Sequence, residues 1–148
     1  MRTFMFWIKA IGSFIVTGLV VCNYTPKDHI EILAIASPLA TIAGILFGVI
    51  IASVTFFSSV KDNHLIEQLK STKMYDVLLN QLSVTGALLI TSCIFMVLSI
   101  FSPSKRIFEQ YGITYDYALL IIGFFCLILS LLEFQSSWSK IRVVIKNM

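Results

Sequence analysis

Charged residues are scarce in this sequence. They make up 13% of its 148 residues, about half of the roughly 25% that soluble domains usually carry. Hydrophobic residues make up 57%, and the mean hydropathy is +0.90. This composition excludes an ordinary soluble domain and predicts a polytopic membrane protein in contact with the lipid bilayer.

Long soluble segments are also missing. Four apolar runs each have about the 20 residues needed to cross roughly 30 Å of hydrocarbon, which leaves only two tails and three connections outside the membrane. We therefore predict an all-α protein with one four-helix transmembrane domain over residues 1–148 and a cytoplasmic helical connector over about 61–81. The predicted spans are residues 4–24, 38–60, 82–101 and 117–138.

Patterns for catalysis and metal binding are absent as well. There is no nucleophile–base arrangement and no phosphate-binding glycine loop, and His29 and His64 are isolated from carboxylates and cysteines at ligand spacing. The three cysteines, Cys22, Cys93 and Cys126, lie in or beside apolar runs, where free buried thiols are expected. We predict a protein that is not an enzyme and binds no cofactor or metal.

The net charge of +3 is explained by where the basic residues lie, so we expect no direct binding of nucleic acid. Four spans place both termini and the middle connection on one side of the membrane. That side holds eight of the 11 Lys and Arg residues. Basic residues concentrate in cytoplasmic loops, so both termini and the middle connection are predicted to be cytoplasmic.

The run Pro38–Val60 has no charged residue and carries small residues at every fourth position. This spacing places them on one helix face, where another helix backbone can approach closely, and such packing helps to drive helix association in lipid. The sequence leaves open whether the facing helix belongs to the same chain or to another subunit. The predicted helix-packing ridge consists of Ala40, Gly44, Gly48 and Ala52. A weaker ridge in the third span consists of Ser83, Ala87 and Thr91.

Pro38 decides where the second helix starts. Thr25 and Pro26 have the pattern of a helix N-terminus, which predicts a first helical segment over residues 26–36. We favour a break or a sharp kink at Pro38, because residues 38–60 already span the bilayer. The alternative is one long helix that continues through the proline and adds Ala36 to the ridge.

Residues 61–81 form the only sizeable predicted surface outside the membrane. Apolar and charged residues alternate with helical periodicity in the first half, which predicts an amphipathic helix, and a turn at 71–73 leads into a second helix. A solvated connector with one apolar side and a docking site for a cytoplasmic protein both fit this pattern. The candidate docking residues are Leu65, Ile66, Leu69, Lys70 and Lys73.

Two ionisable residues lie inside the predicted spans, Lys9 in the first and Glu133 in the fourth. With both termini on one side they have similar depths and opposite charges, so an ion pair between them is one prediction. Separate snorkelling of each side chain to the surface is the other. Neither residue lies at the bilayer midplane, where a coupling site of a secondary transporter would be expected.

The order of these elements resembles the small four-span membrane components of bacterial anti-phage defence systems, such as the membrane subunit of Kiwa. The similarity covers about residues 36–138, with the small-residue span ASPLATIAGILFGVIIASVTFF, the linker KDNHLIEQLKSTKMYDVLLNQL and two further spans. The resemblance implies a homo-oligomer in the bacterial inner membrane that works with a cytoplasmic protein partner. It would act as a membrane effector or as the membrane anchor of a sensing complex, with residues 61–80 as the partner surface.

Two other classes stay open. Immunity proteins against pore-forming bacteriocins are also small four-span inner-membrane proteins without catalytic motifs, and they are expected to be monomeric. A small channel or an accessory subunit of a larger membrane complex is the third class. The oligomeric state separates the first two classes, and conductance in liposomes separates a pore from a scaffold.

Overall fold

The computed structural model of the chain describes residues 2–24, 26, 28–59, 74–102, 106–108 and 113–146. Within these ranges the protein is all-helical except for one short antiparallel strand pair in the loop between the last two helices, which confirms the predicted all-α class. The helices are α1 (Arg2–Asn23), α2 (His29–Ser59), α3 (Met74–Phe101) and α4 (Tyr115–Lys146), and the strands are β1 (Arg106–Phe108) and β2 (Ile113–Thr114).

All four helices contain a segment that is long and apolar enough to cross a membrane. Large apolar side chains point outward, whereas nine polar or charged residues of the described part are buried, including Ser13, Ser92 and Glu133. In water this distribution would leave much apolar surface exposed. In a bilayer it places apolar groups against lipid and polar groups against each other, so the chain is a multi-pass membrane protein.

The central pair of the bundle is α3 and α4. Helix α2 packs along α3, and its first turns also reach α4, whereas the main packing contact of α1 is with α4. Ser13 Oγ of α1 donates a hydrogen bond to the Phe125 carbonyl of α4 at 2.9 Å. The helices α1 and α4 are antiparallel, so this contact fixes the register between them.

Helices α3 and α4 approach closely at Gly123. A Cβ atom there would lie 2.9 Å from Cγ of Met96 and 3.2 Å from the Ser92 carbonyl oxygen, so a larger residue would force a shift. Ser92 Oγ donates to the Gly123 carbonyl at 2.7 Å, and Ser99 Oγ donates to the Asp116 carbonyl at 2.7 Å. Hydroxyl groups of α3 thus tie it to the backbone of α4 at two levels.

Helix α2 passes through Pro38 without ending. It is continuous from His29 to Ser59, so a break at Pro38 is wrong. A proline inside a helix costs about 3 kcal/mol, because it removes one backbone hydrogen bond and crowds the preceding turn. Burial of Ile32 and Ala36 against α4 offsets this cost, since it holds the turns before the proline in place.

The remaining helix bounds also differ in detail from the predicted spans. Helix α2 begins at His29, three residues after the predicted start at Pro26, and the Asp28 carbonyl accepts the first backbone hydrogen bonds. Helix α3 begins at Met74, directly after the predicted turn, and α4 continues past the predicted span to Lys146.

Candidate functional site

One stripe on the outward side of α2 carries only small residues. All eight members are exposed, and they follow each other at intervals of three or four residues, which keeps them on one side of the helix. We call this stripe the small-residue face. Its members are Ala34, Ser37, Thr41, Gly44, Gly48, Ala52, Thr55 and Ser59.

The described part of the chain leaves the middle of the small-residue face uncovered. A Cβ atom added at Gly44 or Gly48 would have no neighbouring heavy atom within 4 Å. The hydroxyl of Thr41 donates to the Ser37 carbonyl at 3.0 Å, and that of Thr55 donates to the carbonyl four residues earlier at 2.9 Å. These two hydroxyls therefore need no hydrogen-bond partner from another helix. A second helix backbone can approach them without leaving a polar group unsatisfied.

The predicted ridge lies only partly on this face. Gly44, Gly48 and Ala52 are exposed, whereas Ala40 packs against the core between α2 and α3. A step of four residues turns about 40° beyond a full helical turn, so a strict four-residue series winds around the helix. The continuous helix adds Ala36 at the N-terminal end of this series, and Ala36 is fully buried.

The weaker predicted ridge of α3 also faces outward for the most part. Ser83 and Ala87 are exposed and Thr91 is half-buried. The hydroxyl of Thr91 donates to the Ala87 carbonyl at 2.8 Å, within its own helix. This hydroxyl is satisfied locally and provides no separate polar site.

Glu133 of α4 connects three helices at one end of the bundle, here called the Glu133 end. Lys9 Nζ of α1 lies 3.0 Å from Oε2 of Glu133, and Nε2 of Gln81 in α3 donates to the same oxygen at 3.1 Å. The side chains of Lys9 and Glu133 are only 16% and 8% exposed. The structure thus brings together the two ionisable residues of the spans, and their burial does not fit two side chains that snorkel separately.

A second buried carboxylate lies at the opposite end of α4, here called the Asp116 end. The Asp116 side chain is 1% exposed, and its Oδ2 lies 2.7 Å from Nδ1 of His29, the first residue of α2. Its Oδ1 accepts the backbone N–H of Tyr117 at 3.0 Å. His29 has no carboxylate partner at ligand spacing along the chain, but the structure pairs it with Asp116. Spacing along the chain could not predict this contact, because 87 residues separate the two partners.

These polar groups can hold neighbouring helices together, and their chemistry indicates a structural role. Each buried carboxylate accepts hydrogen bonds from a neighbouring helix or its own backbone. Among the described residues, no group of three or more His, Cys, Asp or Glu side chains could hold a metal ion. Of the three free cysteines, Cys22 is exposed, whereas Cys93 and Cys126 are half-buried.

Comparison with known proteins gives one result. No protein-family model, curated protein or solved structure matches this chain. The resemblance to anti-phage membrane components stays a prediction.

The predicted docking surface lies outside the described residues. This holds for the whole segment 60–73 and thus for the candidate residues Leu65, Ile66, Leu69, Lys70 and Lys73. The described helices flank this segment, since α2 ends at Ser59 and α3 begins at Met74. The docking surface stays a prediction.

Proposed function

We propose that this protein is a homo-oligomeric component of the bacterial inner membrane that acts in anti-phage defence. It acts as a membrane effector or as the membrane anchor of a sensing complex, without catalysis of its own, and both termini are cytoplasmic. The observation that carries the proposal is the small-residue face of α2, which is exposed over most of a transmembrane helix. It supports self-association as the central property of the molecule.

The outward side of α1 provides the comparison that favours a protein partner for this face. There the exposed residues are large, with Trp7 67% exposed, Phe14 72% and Leu19 59%. Large side chains cover a helix backbone and suit contact with mobile lipid chains. Small residues leave the backbone accessible, which favours the close approach of another helix.

A second copy of α2 is the partner that fits best. In a symmetric pair the same surface patch faces itself, and a face of small residues is complementary to its own copy. Alternation of three- and four-residue steps is typical of helix pairs that cross at a small left-handed angle. The face extends from Ala34 to Ser59, about 37 Å at 1.5 Å per residue, so the contact can run across the bilayer.

The position of α2 also connects assembly with the cytoplasmic side. Helix α2 ends at Ser59, two residues before the charged segment that begins at Lys61. Association of two α2 helices would bring two copies of this segment together. A cytoplasmic partner bound to the segment would thereby respond to the assembly state of the membrane helices.

The test of self-association is the oligomeric state of the full-length protein in lipid nanodiscs and in mild detergent, measured by cross-linking and light scattering. We expect an oligomer that Gly44→Leu and Gly48→Leu dissociate, because a large side chain forces the facing backbones apart. Gly18→Leu is the matched control, since a Cβ at Gly18 in α1 likewise meets no atom within 4 Å. A monomeric wild-type protein would overturn the proposal and favour the immunity-protein class.

The test of the defence role is the plating efficiency of a phage panel on cells that express the chain together with its neighbouring genes. We expect reduced plating with the wild-type chain and restored plating with Gly48→Leu at an equal membrane level. Protection against a pore-forming bacteriocin with unchanged phage plating would contradict the defence role. Reporter fusions at residues 1 and 148 test the orientation, and periplasmic activity of either fusion would contradict it.

A further inference from the structure

We infer that the structure contains a lipid-binding crevice between α1, α2 and α4, which takes an acyl chain of a phospholipid and offers the Thr17 hydroxyl to that lipid's ester carbonyl. The crevice has a volume of about 60 Å³ and is partly open to the surroundings. Residues between Thr17 and Tyr24 of α1 form one wall, Ile35 and Leu39 of α2 form the other, and α4 forms the floor.

The Thr17 hydroxyl is the feature that points to a ligand. Thr17 is 5% exposed, and its Oγ1 is the one buried side-chain nitrogen or oxygen of the described residues without a hydrogen-bond partner. By contrast, Ser13 one turn away donates to the Phe125 carbonyl, and Thr85 donates within its own helix. A buried hydroxyl without a partner destabilises the folded protein, and an acceptor on a bound molecule would remove this cost.

The depth of the crevice matches one leaflet of the bilayer. Tyr117 lies near the start of α4, where tyrosines commonly mark the membrane interface. The contact between Ser13 and Phe125 places Thr17 level with Ile121, four residues or about 6 Å inward of Tyr117. This depth is close to the boundary between headgroups and hydrocarbon, where ester groups are followed by acyl chains.

The other residues that line the crevice favour an acyl chain over water as its occupant. Apart from Thr17 and the two tyrosines the lining is aliphatic or phenyl, and a buried water needs two to four polar partners. The hydroxyl of Tyr117 is already engaged, because it donates to the Tyr24 carbonyl at 2.8 Å. The walls Ile35 and Leu39 also lie outside the small-residue face, so self-association through that face leaves the crevice open to lipid.

The test compares two probes with the same phosphoglycerol headgroup, a diacyl lipid with ester carbonyls and a dialkyl ether lipid without them. Full-length protein is incubated with an equimolar mixture, and retained lipid is measured by native mass spectrometry. We expect the wild-type protein to retain the ester lipid roughly three- to tenfold over the ether lipid, the effect of one hydrogen bond. Equal retention of both lipids by the wild-type protein would overturn the inference.

Variants separate the hydroxyl from the shape of the crevice. Thr17→Val should abolish the preference for the ester lipid and Thr17→Ser should keep it, whereas the control Thr41→Val on α2 should leave it unchanged. Leu39→Phe fills the crevice and should reduce retention of both lipids at an unchanged elution volume. A preference that persists in Thr17→Val, or full retention in Leu39→Phe, would contradict the assigned site.

Discussion

The contact between α3 and α4 and the small-residue face of α2 use glycine in opposite ways. At Gly123 a Cβ atom would collide with Met96 at 2.9 Å, so the glycine is needed inside the chain. At Gly44 and Gly48 the same atom would meet nothing within 4 Å. Glycine thus lets two helices of one chain meet in the first case and leaves a surface free in the second.

The role of a glycine in an apolar span therefore depends on which residues surround it in the folded protein. The face at Gly44 and Gly48 is visible in the sequence because small residues recur along it, yet the structure leaves it open. Gly123 stands alone among large apolar residues, yet it sits where two helices touch. The interior contacts set the stability of one chain, and the outward face is free to act in assembly.

Disruption of the interior ion pair should cause the greatest loss of stability. Lys9→Met leaves Glu133 buried with the Gln81 amide as its remaining side-chain donor among the observed contacts, so we expect a loss of about 3–5 kcal/mol. Unfolding in mixed micelles, followed by circular dichroism, measures this. The double variant Lys9→Met/Glu133→Leu should lose less than Lys9→Met alone, because no charge is left unpaired. Equal losses in the two variants would contradict a stabilising pair.

A smaller effect is expected at the close contact between the central helices. Gly123→Ala should destabilise the chain by about 1–3 kcal/mol, because the methyl group overpacks against Met96 and the Ser92 carbonyl. The same unfolding assay measures the change. Stability equal to that of the wild-type protein would show that α3 and α4 can separate without cost.

The next effect concerns one interhelical hydrogen bond. Ser92→Ala removes the donor to the Gly123 carbonyl, and such bonds in membrane proteins contribute about 0.6 kcal/mol on average. We expect a loss of this size in the unfolding assay. Ser53→Ala provides the control, because the Ser53 hydroxyl is exposed and donates to the Val49 carbonyl within its own helix.

The smallest effect is expected on the outward face. Gly48→Ala should change the stability of the monomer by less than about 0.5 kcal/mol, since the added methyl group meets open space. Monomer unfolding is measured at a detergent concentration at which the wild-type protein is monomeric. A loss as large as that of Gly123→Ala would mean that a part of the same chain covers Gly48.

Much of the fold could be predicted because lipid imposes simple rules. Runs such as Leu82–Phe101 have the length and composition of a span. The opposite charges of Lys9 and Glu133 at similar depth made their contact one of two predictions, and the structure shows it. Other features depend on how helices pack, which the local sequence does not record. The pairing of His29 with Asp116 needs the start of α2 to lie beside the start of α4.

The dependence on helix packing also explains why the prediction of a break at Pro38 is wrong and why the sequence leaves the direction of the ridge in α2 open. Proline is a helix breaker in general, yet burial of the turns before Pro38 against α4 keeps the helix intact, and this burial is a tertiary effect. The direction in which the ridge faces could not be predicted from the sequence, because the way α2 packs in the bundle determines which small residues are covered. Ala36 is buried and Gly48 is exposed for this reason.

The polar attachment of α1 to α4 has a consequence for biogenesis. Glu133, the counter-charge of Lys9, lies 124 residues later in the chain. The acceptor of the Ser13 hydroxyl is the Phe125 carbonyl, which also belongs to α4. During synthesis α1 emerges before α4 and therefore lacks these partners until α4 has been made. Synthesis of α4 is thus the step that fixes α1 in place, and chains truncated before α4 should present a cation in lipid that membrane quality control can recognise.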